Sequence, residues 1–217
     1  MPTRKVQFAP GEHYHLYGRG VAKQKLFLDT RDYVRFLFLI LYFQSPKPIY
    51  NTSTIVSSFI KHNRFNVTKE TIEKIIKNRI VALVSFTPMP NHFHLIVEET
   101  EEGGISTYMQ KVLVAYANYF NAKYKKSGHV FQGPFQAVHI KDNRQLLYTS
   151  AYIHRNSREL RKWKNKEVSY PWSSYQDCVK ENRWGKLLKT DLLVGQFKNG
   201  KEYDKYVKTS GAKEVKS

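Results

Sequence analysis

His92 and His94 stand two apart in the extended apolar run Pro90-Asn91-His92-Phe93-His94-Leu95-Ile96-Val97. Alternate residues of a strand share a face, so the two imidazoles project side by side while Phe93, Leu95 and Val97 turn into a core. Neutral imidazole is a common ligand for divalent metals, and two in parallel begin a site. A second part is offered by the segment Arg144-Gln145-Leu146-Leu147-Tyr148-Thr149-Ser150-Ala151-Tyr152-Ile153-His154-Arg155-Asn156. Read as a helix, it places Tyr152 and Asn156 one turn apart on one face. Laid over the imidazoles, that face adds the amide oxygen of Asn156 as a third ligand and the phenol of Tyr152 beside it. Two imidazoles and an amide oxygen leave positions open on Mg²⁺ or Mn²⁺ for water and a phosphate oxygen. The chemistry suggested is attack of a phenol on a metal-polarised phosphodiester. A tyrosine, with a pKa of about 10, is otherwise a poor nucleophile near neutral pH. Tyr148 lies one turn before Tyr152 on the same face, and geometry leaves both open as the nucleophile. His13 and His15 form a second His-x-His; no helix motif is matched to it, and a surface or DNA-facing role is expected. His139, Glu98 and Glu99 read as ordinary solvated or packed side chains.

The elements that must hold these groups follow from pattern. His13 to Tyr17 reads as a strand ending at Gly18-Arg19-Gly20, and Asp32 to Phe43 as a helix stopped by Ser45-Pro46-Lys47-Pro48. Two short amphipathic helices are expected over Thr52–His62 and Thr68–Lys77, with Thr68 as an N-cap. Ile80 to Phe86 is a strand, Thr87-Pro88-Met89-Pro90-Asn91 a turn, and the His92 strand closes a β-hairpin. Apolar residues at helical spacing (Met109, Val112, Leu113, Tyr116, Ala117, Phe120) mark a helix from Ile105 to Lys126. Val130 to Ile140 is strand-like with an interruption at Gly133-Pro134, and Asp142-Asn143 caps the helix that bears Tyr152. With the short helices set aside as an insertion over about 46–78, the order predicts an α+β fold. It is a split β-α-β antiparallel sheet with helices on one face, the tyrosine helix crossing the other. The catalytic unit is expected over 1–156, followed by a basic extension over 157–217 that packs in part and frays over about 209–217.

Composition narrows the partner. The chain has 217 residues, a net charge of +18 and a sequence pI near 9.8, which favours a polyanion, nucleic acid first. No apolar run reaches membrane-spanning length, and Phe36 to Phe43 is expected as a buried helix. The N-terminus is not followed by a signal-like segment, and the single cysteine, Cys178, excludes an internal disulfide or a multi-cysteine zinc site. A cytoplasmic location is expected. Arg19, Lys23, Lys25, Lys123, Lys125, Lys126, Arg144, Arg155 and Arg158 are candidate phosphate contacts; Tyr17, Tyr124 and Phe131 are candidate stacking surfaces. Single-stranded substrate suits such a surface because its bases are reached without melting a duplex.

Five segments occur in one order: Tyr14-His15-Leu16-Tyr17-Gly18-Arg19-Gly20, Met89-Pro90-Asn91-His92-Phe93-His94-Leu95, Gly128-His129-Val130-Phe131-Gln132-Gly133, Tyr152-Ile153-His154-Arg155-Asn156 and Tyr170-Pro171-Trp172-Ser173-Ser174-Tyr175. Together they resemble the REP-associated tyrosine transposases, a branch of the single-tyrosine HUH transposases of the insertion-sequence-200-like superfamily. The resemblance implies a ferredoxin-like fold and a metal-dependent endonuclease and strand transferase for single-stranded or hairpin DNA. It implies a covalent 5′-phosphotyrosine intermediate, with Tyr152 as nucleophile, His92 and His94 as paired ligands and Asn156 as the third. The protein would act as a monomer or homodimer. Three positions depart from the family: Ser157 where Pro is usual, Ala151 where Arg is common, and Pro134 where a basic residue is usual; the last two are expected to weaken DNA contacts. The same chemistry would serve a replication-initiation or relaxase-like nicking enzyme, although no helicase P-loop is present. A non-enzymatic nucleic-acid-binding sheet would place aromatics where the imidazoles stand.

Overall fold

Side-chain alternation along four strands produces a sheet with two covered faces. The computed structural model describes residues 6–212. Strands β1 (His13–Arg19), β2 (Val81–Met89), β3 (His92–Glu99) and β4 (Gln136–Ile140) pair antiparallel in the order β2-β3-β1-β4. Helices α1 (Thr30–Tyr42) and α4 (Gly104–Tyr124) are the two crossovers. They pack on the face built by Tyr14, Leu16, Phe93, Leu95 and Val97. This is the ferredoxin-like α+β arrangement. The apolar run of α1 is buried throughout, and among the described residues no helix is long and apolar enough to cross a membrane. The short helices α2 (Thr52–His62) and α3 (Lys69–Lys77) lie between α1 and β2 and add Val56, Phe59 and Ile75 to the same core.

Polar caps fix the crossovers. Asp29 and Asp32 form a reciprocal capping box at the start of α1. The Asp32 carboxylate is fully buried and accepts from Tyr119 Oη (2.8 Å), Tyr124 Oη (2.7 Å) and Lys123 Nζ (2.7 Å), binding α1 to α4. Burial opposes its ionisation, but these bonds and the Leu28 N–H outweigh it and hold the carboxyl below its ordinary range. At the start of α4, the buried Glu99 carboxylate accepts from the backbone N–H groups of Gly103 and Ile105. Gly104 is required there, since a Cβ would sit 2.1 Å from the Ile80 carbonyl oxygen.

Two element boundaries differ from expectation. β2 runs through Met89, with Thr87, Pro88 and Met89 paired to His94, Phe93 and His92, so the hairpin turn shrinks to Pro90-Asn91. Pro88 is tolerated because β2 is an edge strand. β4 begins only at Gln136: Gly133 adopts φ +67°, Pro134 follows, and Phe131 makes an isolated bridge to Gly20.

The second face is covered by α5 (Asn143–Arg155) and the C-terminal segment, which adds α6 (Tyr175–Val179), α7 (Asp191–Val194) and α8 (Gly200–Thr209). Ile96 and Ile140 of the sheet meet Ala151, Ile153, Tyr175, Leu193, Tyr203 and Val207 there. A bulge between Leu83 and Ser85 turns both Val84 and Ser85 toward this face. Beyond α8, Ser210 and Gly211 are held by Arg155 and by Tyr148 (Oη to the Gly211 carbonyl, 3.4 Å). Of the tail expected to fray, residues 213–217 lie outside the described residues.

Candidate active site

The histidine strand is fixed by a missing side chain. A Cβ on Gly18 would lie 2.9 Å from the Phe93 ring, so only glycine lets that ring lie against β1. With Phe93 directed into the first core, His92 and His94 face α5. Their rings are 5.1 Å apart and nearly perpendicular. His92 is half-buried, its Nδ1 2.8 Å from Asn91 Oδ1. His94 is buried, its Nδ1 2.9 Å from Nε2 of His15. Both second nitrogens are thus engaged, and ligation by either ring would use Nε2.

His15 corrects the expectation of a surface role. It is 1% exposed and sits diagonally from His94 in the β1–β3 register, with Tyr17 directly opposite His94. Burial pushes the His15 pKa down to about 4. Burial first, then the neighbouring His15 and His92, hold His94 well below the usual imidazole range. Both are therefore neutral at pH 7, the form that binds metal.

α5 brings in the oxygen groups. The Tyr152 ring meets His94 edge-on at 5.4 Å and His15 at 6.1 Å. Asn156 is buried at the C-terminal end of α5, and its Nδ2 donates to the Tyr152 carbonyl (3.1 Å), so Oδ1 is the atom it could offer to a metal. A cleft of about 650 Å³ is lined by Tyr17, Arg19, Lys23, His92, His94, Tyr152, Asn156 and Glu159 among others. Among the described residues no three His, Cys, Asp or Glu side chains form a metal cluster. The donor set is of another kind, two neutral imidazoles and one amide oxygen, and it fits a divalent ion that retains water or phosphate ligands.

A buried polar network beneath α5 sets its position. His154 Nε2 lies 2.9 Å from Ser174 Oγ and 3.0 Å from Ser85 Oγ, and Nδ1 lies 2.8 Å from Tyr203 Oη. Tyr203 donates to Ser150 and Ser150 to the Leu147 carbonyl, so the His154 proton belongs on Nδ1. Burial pushes its pKa down to about 3. The Tyr170-to-Tyr175 segment supplies the rest of the clasp. Tyr170 Oη donates to the Pro88 carbonyl (2.8 Å), Ser173 meets Thr87 (2.8 Å), and Ser174 Oγ accepts from the Phe86 N–H (2.9 Å). These residues act on β2 and α5 from outside the cleft.

The remaining expected residues divide clearly. Tyr148 is turned to the C-terminal segment, away from the lining of the cleft. Arg19, bonded through Nε to Gln132 (2.8 Å), lines the cleft together with Lys23 and Tyr17. Lys25, Lys125, Lys126 and Arg144 are exposed, and Arg158 is exposed near Glu167 (3.9 Å). Arg155 is committed to the Ser210 carbonyl. Lys123 is withdrawn into ion pairs with Asp29 and Asp32, and Tyr124 donates to Asp32, so neither is presented as a DNA contact. Phe131 is packed against Phe93 and Tyr116. Ala151 is fully buried in the second core and is absent from the lining of the cleft, whereas Pro134 does line it.

No curated protein sequence matches this chain. Among solved structures, the chain is similar to one described as the structure of the REP-associated tyrosine transposase bound to a REP hairpin. The TM-score is 0.55 at 13% identity, over 82% of this chain and 86% of that one. Residues 49–156, the stretch that carries His92, His94, Tyr152 and Asn156, match the family described as transposase, IS200-like. The chain belongs to the IS200-like transposase family.

Proposed function

We propose that this protein is a metal-dependent endonuclease and strand transferase for single-stranded, hairpin-bearing DNA, working through a phosphotyrosine at Tyr152. The carrying observation is that Tyr152 lines one cleft with His92, His94 and Asn156 while Tyr148 faces the C-terminal segment. His92, His94 and Asn156 would hold Mg²⁺ or Mn²⁺, which when bound supplies Lewis-acid polarisation of the scissile phosphate. Arg19 and Lys23 offer positive charge at the cleft to hold the strand. Tyr152 Oη forms a bond to phosphorus as the P–O3′ bond breaks; the phenol gives its proton to water, and the departing oxygen takes one from water to become a 3′-OH. The 5′ phosphate stays on Tyr152, its bond energy conserved. A second 3′-OH then attacks that phosphorus, the Oη–P bond breaks, and the phenol is regenerated in a rejoined strand. The hairpin preference draws support from the similar structure, a transposase bound to a REP hairpin, while this chain's net charge of +18 favours nucleic acid in general.

The test is incubation of end-labelled hairpin DNA from the gene's flanks with Mn²⁺ or Mg²⁺. Cleavage at one site leaving a 3′-OH is expected, abolished by chelator and by His94→Ala. Binding without cleavage in either metal would overturn the reading.

A further inference from the structure

The reading above gives no task to His15, a buried imidazole on the neighbouring strand. We infer that His15 is a positioning residue that keeps His94 in the one tautomer able to bind metal. The inference rests on the reading of His94 as a ligand. A neutral imidazole carries one N–H, and only one proton fits between His94 Nδ1 and His15 Nε2 at 2.9 Å. With the proton on His94, its Nε2 presents a lone pair for a metal. With the proton on His15, His94 carries its own hydrogen at Nε2 and cannot ligate.

His92 faces no such choice. Its Nδ1 meets an amide oxygen, Asn91 Oδ1, which can only accept, so its proton is fixed on Nδ1. His15 can accept or donate; accepting at Nε2, it holds the His94 proton on Nδ1 and leaves Nε2 of His94 unprotonated. The pair is built for contact: both rings are buried, 5.1 Å apart and within 26° of parallel. Among the described residues His15 Nδ1 is buried without a hydrogen-bond partner. When Nε2 accepts from His94 the single ring proton sits on this Nδ1, so the contact with His94 is kept at the cost of an orphan N–H.

The experiment measures Mn²⁺ affinity by calorimetry on the full chain for wild type, His94→Ala, His15→Gln and His15→Phe. Gln carries an acceptor oxygen close to the Nε2 position, whereas Phe fills the space without one. His15→Phe is expected to weaken Mn²⁺ binding about 10–100-fold, as loss of a metal ligand's outer partner does, while His15→Gln retains most of it. A purely structural His15 would leave the two variants alike. Should His15→Phe fail to fold, long-range ¹H–¹⁵N spectra of the metal-free wild type decide. A proton on His94 Nδ1 supports the inference, and one on Nε2 overturns it. If Mn²⁺ binds, His94→Ala abolishes it and both His15 variants match wild type, only this inference fails. If wild type binds no Mn²⁺, the metal-site reading falls and takes the inference with it.

Discussion

The ring of Tyr152 meets the ring of His94 edge-on, 5.4 Å between centroids at 82°. That contact joins a side chain of α5 to a side chain of β3, so the docking of one element on the other sets where the proposed nucleophile stands relative to a proposed ligand. One residue of rotation in α5 turns the phenol by about 100° and removes it from the cleft. His154, two residues further on, points the opposite way into the Ser85–Ser174–Tyr203 network and fixes that rotation.

Ser174→Ala is therefore expected to destabilise the protein by about 1–3 kcal/mol, because it strands the buried Phe86 N–H and one partner of His154. Urea unfolding monitored by tryptophan fluorescence measures this; an unchanged midpoint would show that the network does not hold α5.

Acid should loosen the same region. Burial lowers the His154 pKa from 6.5 to about 3, so between those values the unfolded chain binds a proton that the folded one does not. The contribution is fully present above about pH 6.5 and is lost as pH falls toward 3, at up to about 1.4 kcal/mol per pH unit. Stability measured against pH in His154→Gln should follow a shallower slope than wild type across that window.

Gly18→Val places side-chain atoms against a ring that a Cβ alone would approach to 2.9 Å. The expected cost is about 1–3 kcal/mol from overpacking, with weaker Mn²⁺ binding as Phe93 displaces β3. A variant with normal thermal stability and normal Mn²⁺ affinity would contradict this account of the strand.

Arg19 and Lys123 should separate DNA contact from structure. Arg19→Ala is expected to weaken single-stranded DNA binding and to reduce the salt slope of log K by about 0.7. Lys123→Ala should leave that slope unchanged and lower stability by on the order of 2–3 kcal/mol, since it removes the ion-pair partner of buried Asp32. Anisotropy titrations at several salt concentrations, paired with thermal melts, read both.

Local pattern made much of this architecture legible. Period-two alternation around Phe93 predicts which way His92 and His94 face, and helical spacing predicts α4 and α5 because their apolar stripes are continuous. What it misses depends on pairing between distant segments. His15 becomes part of the site only through the register that sets Tyr17 opposite His94, and nothing within Tyr14-His15-Leu16 encodes that register. A clue was present in parity, since a sheet face bearing His94 must also bear alternate residues of its neighbour. Lys123 resembles any solvated lysine until α1 brings Asp29 and Asp32 beside it. The Tyr170-to-Tyr175 segment is polar in composition, yet its hydroxyls are buried against β2 and α5, a role that hydrophobic pattern does not reveal.

The central claim is that Tyr152 carries the covalent intermediate. Wild type, Tyr152→Phe and Tyr148→Phe should be incubated with labelled hairpin DNA and Mn²⁺, then resolved on a denaturing protein gel. A metal-dependent adduct present in wild type and Tyr148→Phe but absent from Tyr152→Phe is the expected result. An adduct that survives in Tyr152→Phe, or one that is lost only in Tyr148→Phe, would contradict the account.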